Sequence, residues 1–312
     1  MRSSTVVGSF VLASLAAAGP LLAQAAPPAG PQVSGYVQPR FTASGDSAVF
    51  LLRRARLGAR GSLTPWASYK VQVELRTGGT GGAATVSATD LYVAFTKDRW
   101  RGTVGQFKVP FGREFLISST VLELPNRSLA SDAIVPGRDV GAMVEWRPSD
   151  RVRLLGDAFN GFGINRGISN GRRPLWVGRI TAQAAAVLDV GADVASYADS
   201  NAWSLDAAFH QGPWTARGEY LRRNRLAAGD HGDGWYAQAA YRPARSPAQG
   251  VVRVEQYRPS AALGERGTAY TGGAQYFLRG DDMKVLASYT LYAGAVLAAR
   301  HDALTLQVQL RY

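Results

Sequence analysis

Three arginines, Arg54, Arg56 and Arg60, lie an even number of residues apart in a stretch whose intervening positions are small or apolar. Residues two apart on a strand point to the same face, so the three guanidinium groups should share one side. None of them has an acidic neighbour on that side of its own segment, so we expect their charges to be uncompensated. Guanidinium groups bind phosphate and carboxylate oxygens through paired hydrogen bonds. The row therefore predicts a surface that attracts small anions.

The whole chain is basic, with 35 basic and 23 acidic residues and a formal net charge of +12. All but four of the basic residues are arginine. Two interpretations remain open at this point. A GC-rich genome raises alanine, arginine and glycine together, whereas an anion path would select arginine for its hydrogen-bonding geometry.

The arginine row belongs to one of sixteen segments in which apolar and polar residues alternate. The predicted segments are 33–43, 48–62, 66–77, 88–97, 99–108, 139–147, 151–160, 175–185, 188–197, 201–210, 213–223, 234–242, 249–258, 268–278, 283–293 and 302–312. Connections after even-numbered segments are tight, and most of those after odd-numbered segments are longer. An even strand number with this asymmetry is typical of bacterial outer-membrane barrels. We therefore predict an all-β fold, a 16-stranded antiparallel transmembrane β-barrel.

Both ends of the chain support export to the outer membrane of a Gram-negative bacterium. Residues 1–25 have a basic start, an apolar run and a small-x-small pattern, which predicts a signal peptide cleaved near Ala25. An uncleaved anchor is less favoured because the apolar run is short and interrupted. The barrel domain would then be 26–312, with 26–32 as a short periplasmic lead. The final residues alternate up to Tyr312, through which we expect the barrel assembly machinery to act.

One connection, about 109–138, shows no alternation and is unusually long. Loops of this length inside a compact domain are usually functional. We expect it to fold into the lumen as a constriction, with a helical turn between 118 and 132; the alternative is an exposed external loop. It would carry Arg113 and Arg127 and end at Arg138.

Other charged residues on polar strand faces suggest local ion pairs. Glu74, Glu219 and Glu255 each have an arginine two residues away on the same face, so we expect pairs within each strand. Lys70 also lies on a polar face. Arg53 has the opposite parity to Arg54, and must lie near the outer rim or at a bulge.

The remaining motifs argue against other classes of protein. The chain has no cysteine, no phosphate-cradling loop and no metal-ligand spacing, so we expect no metal and no cofactor. A barrel enzyme would need a nucleophile beside a base, and His210, His231 and His301 lie at strand ends or in a loop. A soluble periplasmic protein that binds polyanions is disfavoured by the apolar strand faces. No nucleic-acid partner is expected.

Three ordered stretches resemble a known family. Residues 51–58 (LLRRARLG), 105–112 (GQFKVPFG) and 138–141 (RDVG) are similar to segments of the phosphate-selective porins O and P. The resemblance implies a homotrimeric porin with an arginine-rich path and a basic anion site at the constriction, contacted by Arg53, Arg54 and Lys108. The candidate site residues are Arg53, Arg54, Arg56, Arg60, Lys70, Lys108, Arg113, Arg127 and Arg138.

These observations lead to one expected function. The chain should be a channel for passive diffusion of small anions, with phosphate and polyphosphate as candidate solutes, surrounded by outer-membrane lipid and lipopolysaccharide. The main alternative is a general, weakly selective diffusion porin.

Overall fold

The computed structural model describes residues 30–76, 84–166, 174–197, 199–225 and 228–312, with only the backbone of Arg76. The predicted signal peptide, 1–25, lies outside the described residues, as does most of the predicted periplasmic lead. Within the described ranges, sixteen antiparallel strands form a closed barrel in which the first strand pairs with the last. The predicted fold is confirmed.

Every strand overlaps its predicted segment. The strands are β1 (Gln32–Ser44), β2 (Ser47–Thr64), β3 (Ala67–Arg76), β4 (Thr85–Lys97), β5 (Trp100–Lys108), β6 (Arg138–Ser149), β7 (Val152–Phe159), β8 (Leu175–Ala185), β9 (Leu188–Ser196), β10 (Ser200–Gln211), β11 (Trp214–Arg225), β12 (Asp230–Tyr241), β13 (Ala248–Arg258), β14 (Gly267–Arg279), β15 (Met283–Ala293) and β16 (Ala303–Arg311). The largest difference is at β12, which begins at Asp230 instead of 234.

Aromatic side chains lie on the outer face near both ends of the barrel. At the end with the tight turns, the short-turn end, Trp100 stacks on Trp146 with ring centroids 5.4 Å apart. Towards the other end, the long-loop end, Trp203 packs against Tyr220 at 5.1 Å. Belts of Trp and Tyr at two levels are typical of proteins that lie in a bilayer, where these rings occupy the headgroup regions.

The connection between β5 and β6, residues 109–137 (the constriction loop), folds into the lumen, as predicted. It contains two short helices, α1 (Arg113–Leu116) and α2 (Leu129–Ile134). The N-cap of α2 is Ser128, whose hydroxyl accepts a hydrogen bond from the Ser131 N–H at 3.2 Å. A helical turn was expected between 118 and 132, and α2 begins within that range. No helix in the described ranges is long and apolar enough to cross a membrane.

An apolar cluster inside the barrel holds this loop against one part of the wall. Val109, Phe111 and Ile134 of the loop are buried in one cluster with Phe159 of β7 and Leu221 of β11. Burying one such side chain contributes about 1.5–3 kcal/mol. The loop therefore packs towards β7–β12 and leaves the space beside β2–β6 open.

Candidate functional site

Carboxylates on three adjacent strands bind the first turn of the constriction loop. Asp193 of β9 accepts a hydrogen bond from the Gly112 N–H at 3.0 Å. Glu219 of β11 accepts from the N–H groups of Arg113 at 2.8 Å and Glu114 at 3.2 Å. The unpaired N–H groups at the start of α1 are thus satisfied by the barrel wall.

The third carboxylate, Asp206 of β10, binds the side chain of Arg113, with Nε and Oδ1 2.5 Å apart. Arg179 of β8 forms ion pairs with both Asp206 and Asp193, at 2.8 and 2.5 Å. Oxygens of Asp193, Asp206 and Glu219 lie within 4.8 Å of one another, as a metal site would require. Because arginines and loop N–H groups already bind these oxygens, we interpret the three acids as a latch for the loop.

A second anchor comes from β13. Arg253 donates to Glu114 Oε1 at 3.3 Å and to the carbonyl of Asn126 at 3.0 Å. Glu255 accepts from the Leu129 N–H at 2.5 Å and pairs with Arg253 at 3.1 Å. The predicted pair within this strand therefore forms, and it also holds the loop.

The strands on either side of the β1–β16 seam bind the middle of the loop. Gln38 donates to the carbonyl of Ser119 at 3.1 Å, and Gln309 donates to the carbonyl of Thr120 at 2.9 Å. The hydroxyls of Tyr36 and Ser119 lie 2.6 Å apart. The loop therefore crosses the lumen from β9–β13 to β1 and β16.

An opening of about 330 Å³ remains between the loop and the wall formed by β1–β6. Five cationic side chains and one carboxylate line it: Arg56, Lys70, Arg101, Lys108, Arg138 and Asp90. In a narrow aqueous lumen with low-dielectric walls, such an excess of one sign attracts the opposite charge. The opening can therefore concentrate anions.

Arg56 is not the uncompensated charge that we expected from its own strand. The antiparallel register places Glu74 of β3 directly opposite it, and the two side chains form an ion pair at 2.5 Å. That prediction was wrong because it considered neighbours within one strand only. The guanidinium of Arg56 also lies 5.7 Å from the centroid of the Tyr36 ring, at the edge of the opening.

The other members of the β2 arginine group have polar partners on β1. Arg54 donates to Gln38 Oε1 at 3.0 Å, and Arg60 donates to Gln32 Oε1 at 3.2 Å. Arg53 has no residue opposite it, because the ladder between β1 and β2 contains a bulge there. The sequence allowed Arg53 to lie either near the outer rim or at a bulge, and in the structure it lies at a bulge.

Two further candidates share one carboxylate. Asp90 of β4 forms ion pairs with Lys70 at 2.5 Å and with Arg138 at 2.8 Å. One negative charge thus fixes two cations at the edge of the opening. The local charge remains positive.

Lys108 and Arg127 both bind backbone carbonyls of the loop. Lys108 Nζ donates to Phe115, Leu116 and Ile117 at 2.5, 3.1 and 3.0 Å. Arg127 donates to Ile117 at 2.8 Å and to Phe115 at 3.4 Å. Lys108 lines the opening and Arg127 does not, and the donors of both side chains hold the end of α1.

The surroundings of the loop shift the pKa values of two of its residues, Arg127 and Asp132. Burial lowers the pKa of Arg127, opposed first by Glu114 and then by Asp132. Asp132 is exposed to the lumen, yet the enclosing wall and loop remove enough water to raise its pKa, and Glu114 raises it further. Arg127, Arg53 and Arg54 act in the opposite direction.

Four of the nine candidates, Arg56, Lys70, Lys108 and Arg138, line the opening, and the structure adds a new residue to them. The other five, Arg53, Arg54, Arg60, Arg113 and Arg127, do not line it. Arg113 is buried in the latch and does not line the opening. Arg101 of β5 does line it, and forms no ion pair or hydrogen bond with any residue that the structure describes. The signal was present in the alternation of β5, which places Arg101, Thr103 and Phe107 on one face.

Of the expected pairs within strands, the one at Glu219 was wrong. Its neighbour Arg217 instead pairs with Glu123 of the loop at 3.1 Å. The described partner of Glu74 is Arg56, and the side chain of Arg76 lies outside the described residues.

The three histidines occupy three separate places. His210 lies near the end of β10, His231 lies on β12, and His301 lies in the connection before β16. In the described ranges they are not brought together into a site with a nucleophile.

Comparison with known families gives one match. The family described as phosphate-selective porin O and P matches residues 34–201, which is more than half of the chain. Among proteins with curated descriptions, none matches in sequence.

Solved structures share the whole barrel. The anion-selective porin from Comamonas acidovorans aligns with a TM-score of 0.66 and 13% identity, over 91% of this chain and 99% of that chain. The trimer form of OmpT, an outer membrane protein of Vibrio cholerae, aligns with a TM-score of 0.68 and 10% identity over the same shares. The outer membrane channel DcaP of Acinetobacter baumannii has a TM-score of 0.64 and 13% identity, over 90% and 97%. At these identities the likeness establishes a shared fold.

Proposed function

Because the chain belongs to the family of phosphate-selective porins O and P, and is thus an outer-membrane channel, we propose that it carries small anions by passive diffusion. Phosphate and polyphosphate are candidate solutes. The proposal includes the outer membrane of a Gram-negative bacterium as its location.

The observation that carries this proposal is the excess of cations at the opening. Five cationic side chains and one carboxylate line it, and the positive excess remains when Glu74, the ion-pair partner of Arg56, is also counted. Arg101 has no partner among the described residues, so its charge and its donors are available to a solute. Rings of basic side chains give anion preference in pores because they lower the barrier to anion entry.

The other predicted residues fit a path that runs along the lumen. Arg53 and Arg54 lie on β2 towards the long-loop end, and Arg60 lies towards the short-turn end. Arg56 of the opening lies between them on the same strand, and Lys70 lies directly opposite Arg60. Arg127 and Lys108 bind the same turn of the loop. Arg113 has a different role in this proposal, because it holds the loop from the opposite wall.

Reversal potentials in planar lipid bilayers test the proposal. With the full chain in a KCl gradient, we expect a potential that reports preference for chloride. Replacing Arg101 by Gln should move it towards zero, and the R56Q/R101Q double variant should move it further because the opening then loses a second cation. Arg99, which is exposed and donates to the carbonyl of Pro148 at 2.9 Å, provides the control R99Q.

The result also decides between the proposal and its alternative. A wild-type potential near zero, unchanged in R56Q/R101Q, would mean that the cations only balance lumen carboxylates. The protein would then be a general, weakly selective diffusion porin.

The proposed assembly is a homotrimer embedded in outer-membrane lipid and lipopolysaccharide. The trimer form of the similar OmpT structure supports it. The mass of the detergent-extracted complex, measured before and after heating, tests it: a single-chain mass before heating would contradict a trimer.

A further inference from the structure

The opening has an apolar side as well as a cationic side. Tyr36, Tyr92, Phe107, Leu116 and Met143 line the same space as the five cations. Tyr92 meets Phe107 edge to face, with ring centroids 6.0 Å apart. Tyr92 and Met143 also pack against the buried cluster that contains Phe107, so this apolar surface is firmly supported.

Few donors at the opening are uncommitted. The three donors of Lys108 bind three carbonyls, and Asp90 binds both Lys70 and Arg138. Arg101 and Thr103 differ from these. Only 3% of the Thr103 residue is exposed, and its hydroxyl has no hydrogen-bond partner among the described residues.

Arg101 and Thr103 are two residues apart on the lumen face of β5, and both line the opening. Glu145 lies opposite Arg101 in the register, but its carboxylate pairs with Arg147 at 2.6 Å. One guanidinium and one hydroxyl on the same face can bind the two oxygens of a single carboxylate.

Building on the proposed anion channel, we infer that the opening contains a binding subsite for organic acids that carry one carboxylate on an apolar, preferably aromatic, body. The carboxylate binds Arg101 and Thr103, and the body lies against Tyr92, Phe107 and Met143. A volume of about 330 Å³ is at the lower end of the range for small-molecule sites and is suited to such an acid.

Inorganic phosphate suits this subsite less well. Its oxygens are distributed around the whole ion, so several of them would face aromatic and thioether groups that donate no strong hydrogen bond. Loss of hydration without replacement hydrogen bonds is costly for a polar group. An aromatic acid instead gains free energy from the apolar area that leaves water.

Block of the chloride current tests the inference. The full chain in a planar bilayer is titrated with benzoate, acetate and inorganic phosphate at constant ionic strength and pH. We expect the half-blocking concentration of benzoate to be about tenfold below that of acetate, because part of its ring is buried. Phosphate should block no better than acetate.

Three variants assign the two halves of the subsite. Thr103→Val should raise the half-blocking concentrations of benzoate and acetate together. Thr103→Ser, which keeps the hydroxyl, should give half-blocking concentrations close to those of the wild type. Met143→Gln, which keeps the length of the side chain, should raise the half-blocking concentration of benzoate and leave that of acetate unchanged.

The outcomes separate this inference from the proposed function. A reversal potential without chloride preference overturns the proposed function. Chloride preference with equal block by benzoate and acetate, or with tighter block by phosphate, overturns only the subsite. The comparison of blockers on the wild-type chain remains decisive even where a variant fails to fold.

Discussion

Lys108 and Arg127 donate hydrogen bonds to the same two carbonyl oxygens, those of Phe115 and Ile117. Their charged groups also lie 5.1 and 5.5 Å from the centroid of the Phe115 ring. Two like charges are thus held around one turn of the constriction loop by carbonyl dipoles and an aromatic face. Positive charge at the opening is in this way part of what holds the loop in place.

Lys108→Met should therefore loosen the loop. The variant keeps the length of the side chain but leaves the half-buried Leu116 carbonyl without its described donor and the carbonyls of Phe115 and Ile117 with Arg127 alone, at a cost of about 1–3 kcal/mol. We expect noisier single-channel current and a lower free energy of unfolding. Lys97→Met, at the exposed end of β4, is the control; equal current noise in both variants would contradict the role of Lys108.

Glu219→Ala should release the start of the loop. The carboxylate accepts from two backbone N–H groups, which would lose their partners inside the lumen. We expect larger and more variable single-channel conductance, because α1 can then leave the wall. Glu145→Ala removes a lumen carboxylate whose described partners are Arg147 and Arg153, so its conductance should stay close to that of the wild type.

Gly105→Ala should destabilise the barrel where β5 approaches the loop. Gly105 has φ +128°, and a Cβ there would collide with the Leu91 carbonyl. Strain of this kind costs at least about 1–3 kcal/mol. The urea midpoint for unfolding from lipid should fall, whereas in Gly102→Ala, where a Cβ meets nothing within 4 Å, it should not.

Tyr312→Asp should impair assembly. Backbone hydrogen bonds of 3.1 Å join Tyr312 to Gly35 in both directions, and the Tyr312 ring covers the space where Gly35 would carry a Cβ. A carboxylate on the outer face loses this cover and is unfavourable in lipid. The fraction of heat-modifiable barrel in the outer membrane measures the effect. Tyr312→Phe should assemble normally, and wild-type levels of Tyr312→Asp would count against the prediction.

Asp132 should make selectivity depend on pH. Its raised pKa means that it takes up a proton at a higher pH than an ordinary aspartate. As the pH falls from 7 towards that pKa, the lumen loses a negative charge, so anion preference should rise.

Asp132→Asn should show this higher anion preference already at pH 7 and lose that part of the pH dependence. The effect of the ionised Asp132 carboxylate on stability is opposite in sign to that of an ion-paired carboxylate. Because the folded-state pKa is raised, the charged form weakens the fold above it, and Asp132→Asn should not lower stability at pH 7. Identical pH profiles of reversal potential in wild type and variant would show that another group titrates.

The sequence alone determined the architecture, because a strand imposes a period of two on every segment that has one wet and one apolar face. This local rule places Arg54 and Arg56 in the lumen, and it places the apolar residues of the alternating segment before Tyr312 on the lipid face. It also identified 109–138 as the one long connection without alternation, and its fold into the lumen was expected.

Only the tertiary structure decided which charges are free. Arg56 meets Glu74 across a strand boundary, Arg113 meets Asp206 across the lumen, and Arg101 meets no described partner. Cross-strand register and the path of the loop depend on residues far apart in the chain, such as Phe111 and Leu221, which are buried in one cluster. Parity within one strand carries no information about them.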